Sequence, residues 1–122
     1  MSPKKWSEIK RTKTKAITKL YLDDVRNPGD TYVDGGSWLL CRDIESCKRF
    51  LELGLVTHIS LDGDMGQNKF GSDIPGGVEL LDWMRMTKNW PTKSIQVHSA
   101  NPVKASQMKL IINEHFQPEE KE

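Results

Sequence analysis

The sequence predicts one α/β domain on an open parallel sheet of about four strands, in a three-layer α/β/α arrangement. Three observations support this prediction. The chain has 122 residues, the size of one domain with one core. Strand and helix signals alternate along it, as they do where helices cross between parallel strands. Acidic residues follow two of the strand signals, and the carboxyl ends of parallel strands lie at one edge of a sheet.

The first two strands are predicted on either side of a turn-rich segment. The run AITKLYLD at 16–23 is rich in β-formers and ends in an acid. Asn-Pro-Gly at 27–29 then supplies turn chemistry. The short apolar run WLLC at 38–41 is the second strand. The segment 26–37 has too many turn residues for a full crossover helix, so a short connection is expected there.

Helix and strand signals alternate from residue 44 onward. Residues 44–53 repeat apolar side chains at helical spacing, and Gly54 suits the position just past a helix end. THISLD at 57–62 is the third strand. No fifth strand follows the last helix, so the sheet is expected to stop after the helix that follows the fourth strand. The later elements are helix 78–86, strand 94–99 and helix 102–116.

Charge separates the two ends from the central domain. The formal net charge is +1, which does not demand a nucleic-acid or membrane partner. The basic start either contacts nucleic acid or only keeps that end solvated, which is the usual role of a charge run. No stretch reaches the roughly 18 apolar residues that a membrane span needs. The predicted parts are a basic extension at 1–15, the domain at 16–116 and an acidic tail at 117–122.

The two cysteines, Cys41 and Cys47, indicate a reducing compartment. The chain begins MSPKKWSEIK, without an apolar signal segment, so a cytoplasmic location is expected. Neither cysteine has a companion at C-x-x-C spacing, so buried or half-exposed thiols are expected rather than a metal site.

Acidic side chains follow the first and third predicted strands. Carboxylates gathered at one edge of a sheet repel one another and lose hydration, and a cation would offset that cost. Oxygen ligands favour Mg²⁺ or Mn²⁺ over zinc. Each acidic pair taken alone is also what an ordinary turn contains, but the pairs recur at strands that should be neighbours. The predicted metal ligands are Asp23, Asp24, Asp62 and Asp64.

His98 ends the fourth predicted strand, at the same edge as the aspartates. An imidazole there can protonate a leaving oxygen or activate water, although a structural histidine is the ordinary alternative. The aromatic residues Tyr32 and Trp38 could stack on a base, but core packing or a surface position is the more ordinary role. The predicted catalytic residues are His98, Asp62 and Asp24, and the predicted phosphate-binding residues are Arg26, Ser99 and Asn101.

Three short motifs carry a family resemblance. LYLDDVRNP, ISLDGDMG and VHSANP resemble the cyclic-phosphate processing receiver domains, a receiver-like family of phage and bacterial genomes, over roughly 19–108. The resemblance implies a receiver-type fold with an active site for a cyclic phosphate, on a nucleotide or an RNA end. It also implies the cytoplasm of a bacterial or phage-infected cell.

The chain departs from an ordinary receiver in two places. The fifth strand and its phosphate-pairing lysine are missing, and Lys104 is only a weak substitute. Gly63 stands where similar sequences tend to have a histidine. Two other functions therefore stay open: a non-catalytic receiver-like domain that binds or regulates, and an aspartyl-phosphate-accepting receiver that uses Asp62.

Overall fold

The structure is a computed structural model that describes residues 18–118. In this range, four parallel strands form one sheet in the order β2-β1-β3-β4. Leu22 pairs with Cys41 on one side and Leu61 on the other, and Leu61 pairs with Val97. All four strands therefore end at one edge, and the predicted receiver-like parallel sheet is confirmed. The strands are β1 (Lys19–Leu22), β2 (Trp38–Cys41), β3 (His58–Leu61) and β4 (Ser94–Val97).

Three helices lie where the sequence predicted them, with bounds that differ by one residue at some ends. Helix α1 begins after Asp43, whose carboxylate accepts a hydrogen bond from the Ser46 amide at 2.9 Å. It ends before Gly54, which has a φ of 73° that favours glycine. Asn101 caps the last helix in the same way as Asp43 caps the first. The helices are α1 (Ile44–Glu52), α2 (Gly77–Thr87) and α3 (Pro102–His115).

The apolar core lies on one face of the sheet. Alternate residues of a strand point to opposite faces, and Leu20, Leu22, Ile59 and Leu61 point to the same one. All three helices pack their apolar residues against this face, so they form one layer. The buried helix residues of this core are Ile44, Cys47, Leu51, Leu80, Leu81, Met84 and Met108.

The connection between β1 and β2 covers part of the opposite face. In the strand order, the step from β1 to β2 goes in the opposite direction to the steps from β2 to β3 and from β3 to β4. Because each connection is right-handed, the first one lies on the opposite face of the sheet from the helices. It contains two short 3-10 turns, Pro28–Asp30 and Gly35–Ser37, as the turn-rich sequence indicated. Tyr32, between them, stacks on Trp38 with ring centroids 4.8 Å apart. Within residues 18–118, turns rather than a helix therefore form the third layer.

Both cysteines are buried free thiols, as expected. No helix in the described range has the length and apolarity to cross a membrane. The basic extension at 1–15, the first residues of the predicted first strand and most of the acidic tail lie outside the described residues. Nucleic-acid contact through the extension stays a prediction.

Candidate functional site

Three predicted site residues meet at the carboxyl edge of the sheet. Asp23 follows β1 and Asp62 follows β3, and the Asp62 amide continues the ladder by donating to the Leu22 carbonyl at 3.1 Å. His98 follows β4, and its amide donates to the Leu61 carbonyl at 3.0 Å. One possible ligand atom from each of Asp23, Asp62 and His98 lies within 4.8 Å of the others. The parallel register therefore brings together residues that are far apart in the chain.

Asp23 is fully buried and held as a carboxylate. Its Oδ1 accepts hydrogen bonds from the amides of Val25 at 2.9 Å and Arg26 at 2.8 Å. Its Oδ2 lies 3.0 Å from Nε2 of His98 and 3.3 Å from Nε of Arg26. Burial alone would raise the pKa of Asp23, but the two amides, His98 and Arg26 together hold it below the usual value. Asp23 is therefore ionised near neutral pH.

Asp62 is less well compensated than Asp23. It is 5% exposed, and burial, with a contribution from the charge of Asp23, raises its pKa to about 6. The Asp64 amide donates a hydrogen bond to Asp62 Oδ1 at 3.1 Å, which lowers the pKa but does not offset burial. An ionised Asp62 beside an ionised Asp23 leaves excess negative charge in a buried place, which a cation would relieve.

His98 lies between Asp23 and two hydroxyl groups. Its Nδ1 is 2.7 Å from Oγ of Ser60, and Ser60 Oγ is 2.7 Å from Oη of Tyr32. The His98 ring stacks on Tyr21 with centroids 4.2 Å apart. Burial lowers the pKa of His98, although Asp23 opposes this effect. A neutral imidazole in this position can exchange protons at near-neutral pH.

The other two aspartates of the predicted metal set lie differently. Asp24 is half-buried beside Asp23, and its carboxylate lies against Gly66 in the loop between β3 and α2. Asp64 instead forms an ion pair with Lys104 at 2.9 Å and accepts a hydrogen bond from the Asn101 amide group at 3.0 Å. Lys104 and Asn101 hold the pKa of Asp64 below its usual value. The structure therefore brings Asp23 and Asp62 together and holds Asp64 at the start of α3.

Two of the predicted phosphate-binding residues organise the start of α3. Oδ1 of Asn101 accepts from the amides of Val103 at 3.0 Å and Lys104 at 3.1 Å, so it caps the helix. Ser99 Oγ accepts from the Asn101 amide at 3.1 Å. The third, Arg26, binds Asp23 and keeps a side chain that is 39% exposed. All three lie at the carboxyl edge.

Gly63 lies where the start of α3 approaches the loop after β3. A Cβ at this position would lie 2.8 Å from Cβ of Lys104 and 3.2 Å from Cε of Met108. Real Cβ atoms essentially never approach another carbon to 2.8 Å. Helix α3 therefore occupies the space that a histidine at position 63 would need, which explains the glycine here.

Three residues that contribute to the site were not predicted as part of it. Ser60 contacts His98, and Tyr32 contacts Ser60. Arg42 donates to the carbonyls of Asp23 at 3.2 Å and Arg26 at 3.0 Å, so it fixes the loop that carries Asp23. One signal was available for Ser60, because polar residues alternate at 58, 60 and 62 and therefore share a face of the strand.

The donor set fits a divalent cation. Two carboxylates and an imidazole are ligands of Mn²⁺ and related ions, and the two carboxylates alone suit Mg²⁺, which keeps other positions for water and phosphate. The excess negative charge at Asp62 favours the same occupant. The fit rests on the donor atoms being close together and on both carboxylates being buried.

The comparison with protein families gives a match over most of the chain. Residues 18–114 match the family described as the cyclic-phosphate processing Receiver domain. No curated protein and no solved structure matches the chain significantly. The family match spans all four strands, the acidic edge and nearly all of α3. The chain therefore belongs to the cyclic-phosphate processing receiver domains.

Proposed function

We propose that this domain hydrolyses a cyclic phosphate, on a nucleotide or an RNA end, with a divalent cation bound at the carboxyl edge of the sheet. One observation carries the proposal: two buried carboxylates and a buried imidazole have ligand atoms within 4.8 Å of one another. The family description supports the substrate class. The second function, binding without turnover, uses the same residues and is separated from the first by the assay below.

Asp23 and Asp62 would hold the cation, Mg²⁺ or Mn²⁺, with Asp24 beside them. Asp62 supports this assignment most directly, because burial and the charge of Asp23 raise its pKa, so its ionised form gains from a cation. Asp64 contributes least among the four predicted ligands, since Lys104 already neutralises it. When bound, a divalent cation supplies Lewis-acid stabilisation of phosphate charge and a water of lowered pKa.

The phosphate would contact donors around the carboxylates. Arg26 binds Asp23 through Nε and stays partly exposed, so part of its planar fork is accessible to a phosphate. Ser99 and Asn101 lie at the start of α3, whose partial positive charge also favours an anion. These groups would orient the phosphorus toward the carboxylates.

His98 would carry the proton. Hydrolysis of a 2′,3′-cyclic phosphate forms a bond from water oxygen to phosphorus and breaks one ring P–O bond, so the leaving ribose oxygen needs a proton. His98 Nε2 faces Asp23 at the edge where the substrate would bind. In its imidazolium form it can donate that proton, and the proton released by the attacking water restores it, so overall the water proton ends on the leaving oxygen.

The test is ring opening of a 2′,3′-cyclic nucleotide in the presence of Mg²⁺ or Mn²⁺, followed by phosphorus NMR. We expect wild type to form the monophosphate, and His98→Gln and Asp62→Asn each to lose about 100-fold or more in rate. Asp82→Asn is the matched control, because that carboxylate is exposed on α2 and pairs with Arg85. It should retain the wild-type rate.

Other results would contradict the proposal. Tight binding of the cyclic nucleotide without product would indicate a non-catalytic binding domain. Labelling by acetyl phosphate that only Asp62→Asn removes would indicate a phosphoacceptor. Equal activity of wild type and both site variants would place the chemistry elsewhere.

A further inference from the structure

His98 occupies the middle of a continuous chain of hydrogen bonds. Nε2 lies 3.0 Å from Asp23 Oδ2, and Nδ1 lies 2.7 Å from Ser60 Oγ. A further 2.7 Å separates Ser60 Oγ from Tyr32 Oη. The chain therefore links the candidate site to the turn segment on the far side of the sheet, through residues that the proposed reaction does not otherwise use.

The chain has one direction when the imidazole is uncharged. Asp23 Oδ1 accepts hydrogen bonds from two backbone amides, as expected of an ionised carboxylate, whose oxygens act only as acceptors. His98 must then donate from Nε2, which leaves Nδ1 as an acceptor. Ser60 must therefore donate to Nδ1, and Tyr32 must donate to Ser60. Each hydroxyl group in the chain thus supports the same ring tautomer.

The residues that form this chain are held in place by packing. Ser60 is fully buried in β3. Tyr32 stacks on Trp38 and meets Tyr21 edge to face at 6.1 Å. The parallel stack of Tyr21 on His98 opposes a flip of the imidazole ring. The Ser60 hydroxyl group therefore faces Nδ1 persistently, and the Tyr32 hydroxyl group faces Ser60.

We propose that Ser60 and Tyr32 are positioning residues that orient the His98 ring through Nδ1, while Asp23 keeps the proton of the neutral ring on Nε2. In this tautomer Nε2 has no free lone pair, so neutral His98 is not a metal ligand, and it becomes a proton donor when the ring takes up a second proton at Nδ1. This catalytic consequence rests on the proposed function, whereas the tautomer is a property of the free protein and is measured without substrate.

The first measurement is the protonation of the ring nitrogens by long-range ¹H–¹⁵N NMR of the labelled, metal-free protein. Substitution of His58 and His115 assigns the His98 signals. We expect Nε2 to be protonated and Nδ1 to be unprotonated in wild type. Ser60→Ala should move the Nδ1 signal toward that of a nitrogen without a hydrogen-bond donor, and Tyr32→Phe should do so to a smaller extent, while the proton stays on Nε2.

Tyr21→Phe is the matched control. It also removes one phenolic hydroxyl group from the same aromatic cluster, but that group bonds to Thr31 and not to Ser60. The ring that stacks on His98 remains, so the wild-type Nδ1 signal should persist. Tyr32→Phe keeps its ring as well, so it tests the proposal even where Ser60→Ala does not fold.

The second measurement is kinetic. Ser60→Ala should lower kcat for ring opening by roughly 10- to 100-fold with little change in KM, because it changes proton transfer and not substrate binding. The proposal is overturned by protonation at Nδ1 in wild type, by an unchanged Nδ1 signal in both Ser60→Ala and Tyr32→Phe, or by loss of the Nε2 proton when Mg²⁺ is added. A wild-type protein without turnover would instead refute the proposed function, since the NMR result does not depend on activity.

Discussion

Asp62 and Asp23 show how two neighbouring carboxylates acquire different properties. Backbone amides, Arg26 and His98 surround Asp23 and hold its pKa below the usual value, although it is fully buried. Asp62 is nearly as buried but has fewer favourable partners, and its pKa is raised to about 6. The difference arises from the number of donors that face each group and not from depth alone. Asp62 is therefore the carboxylate that gains most from a cation.

The raised pKa of Asp62 predicts that Asp62→Asn stabilises the metal-free protein above pH 6. The folded state binds the Asp62 proton more tightly than the unfolded state, so stability falls as the pH rises from about 3.8 to about 6 and the loss is complete above that. The rise of the Asp62 pKa from 3.8 to about 6 corresponds to at most about 3 kcal/mol. The variant should exceed wild type by up to this amount at pH 8 and by nearly nothing at pH 4. Urea unfolding at both pH values measures the difference.

The comparison with wild type cancels the opposite contribution of Asp23, whose lowered pKa adds stability that is lost as the pH falls. Asp82→Asn serves as the control at an exposed carboxylate and should change stability little at either pH. A gain from Asp62→Asn that is equal at pH 4 and pH 8 would show that the effect is not electrostatic.

At the scale of the element, the start of α3 combines a structural and a functional role. Asn101 caps the helix, binds Asp64 and stands next to the candidate site. Lys104, in the first turn, pairs with Asp64 and packs over Gly63. The helix is thus anchored to the loop after β3 by a cap, an ion pair and a close backbone approach. Changes at these residues should alter stability as well as the site.

Removal of the Asn101 side chain should cost about 1 kcal/mol of unfolding free energy, because two helix amides lose their acceptor. Asp43→Ala provides the matched change at α1, where the side chain caps a helix away from the candidate site. We expect similar losses of stability in denaturant unfolding but a loss of ring-opening activity only for Asn101→Ala. Equal ring-opening activities of Asn101→Ala and Asp43→Ala would mean that Asn101 only caps the helix.

Gly63 should be intolerant of even a methyl group. In Gly63→Ala the new Cβ would meet the Lys104 and Met108 side chains, and such overpacking typically costs about 1–3 kcal/mol. Gly36→Ala is the control, because a Cβ there meets nothing within 4 Å. Thermal unfolding should show a clear decrease for the first variant and little change for the second. An unchanged transition in Gly63→Ala would show that α3 can move away from the loop.

At the scale of the whole molecule, the helices of the described range pack on one face of the sheet, and the candidate site residues lie at its carboxyl edge. The core side chains of all three helices point to the Leu20 face, while Tyr21 and Ser60 lie on the other. The aromatic turn segment covers that other face beneath His98. The candidate site therefore lies between a rigid core and a thin layer of turns.

Metal binding should stabilise the whole domain. A cation present at 100 times its dissociation constant adds about 2.7 kcal/mol if it binds only the folded state. The rise in Tm on addition of Mn²⁺ or Mg²⁺ should be larger at pH 8 than at pH 5, because the cation competes with the proton on Asp62. Asp23→Asn should lack the rise, whereas Asp82→Asn should retain it. A rise that is the same in all variants would indicate binding elsewhere.

The sequence by itself determined the order of strands and helices, the turn-rich first connection and the edge at which Asp23, Asp62 and His98 lie. These features depend on local chemistry: apolar periodicity, helix caps, turn residues and the common direction of parallel strands. The three short motifs were also sufficient to indicate the family that the match over residues 18–114 shows.

Only the tertiary structure decided which of these edge residues contact one another. Asp64 pairs with Lys104, a residue 40 positions later, and His98 reaches Tyr32 through Ser60. The crowding around Gly63 likewise depends on where α3 packs. Periodicity reports the face on which a side chain lies, but hydrogen bonds and close contacts depend on a few tenths of an ångström between distant segments. That precision arises only when the sheet, the helices and the turn segment pack together.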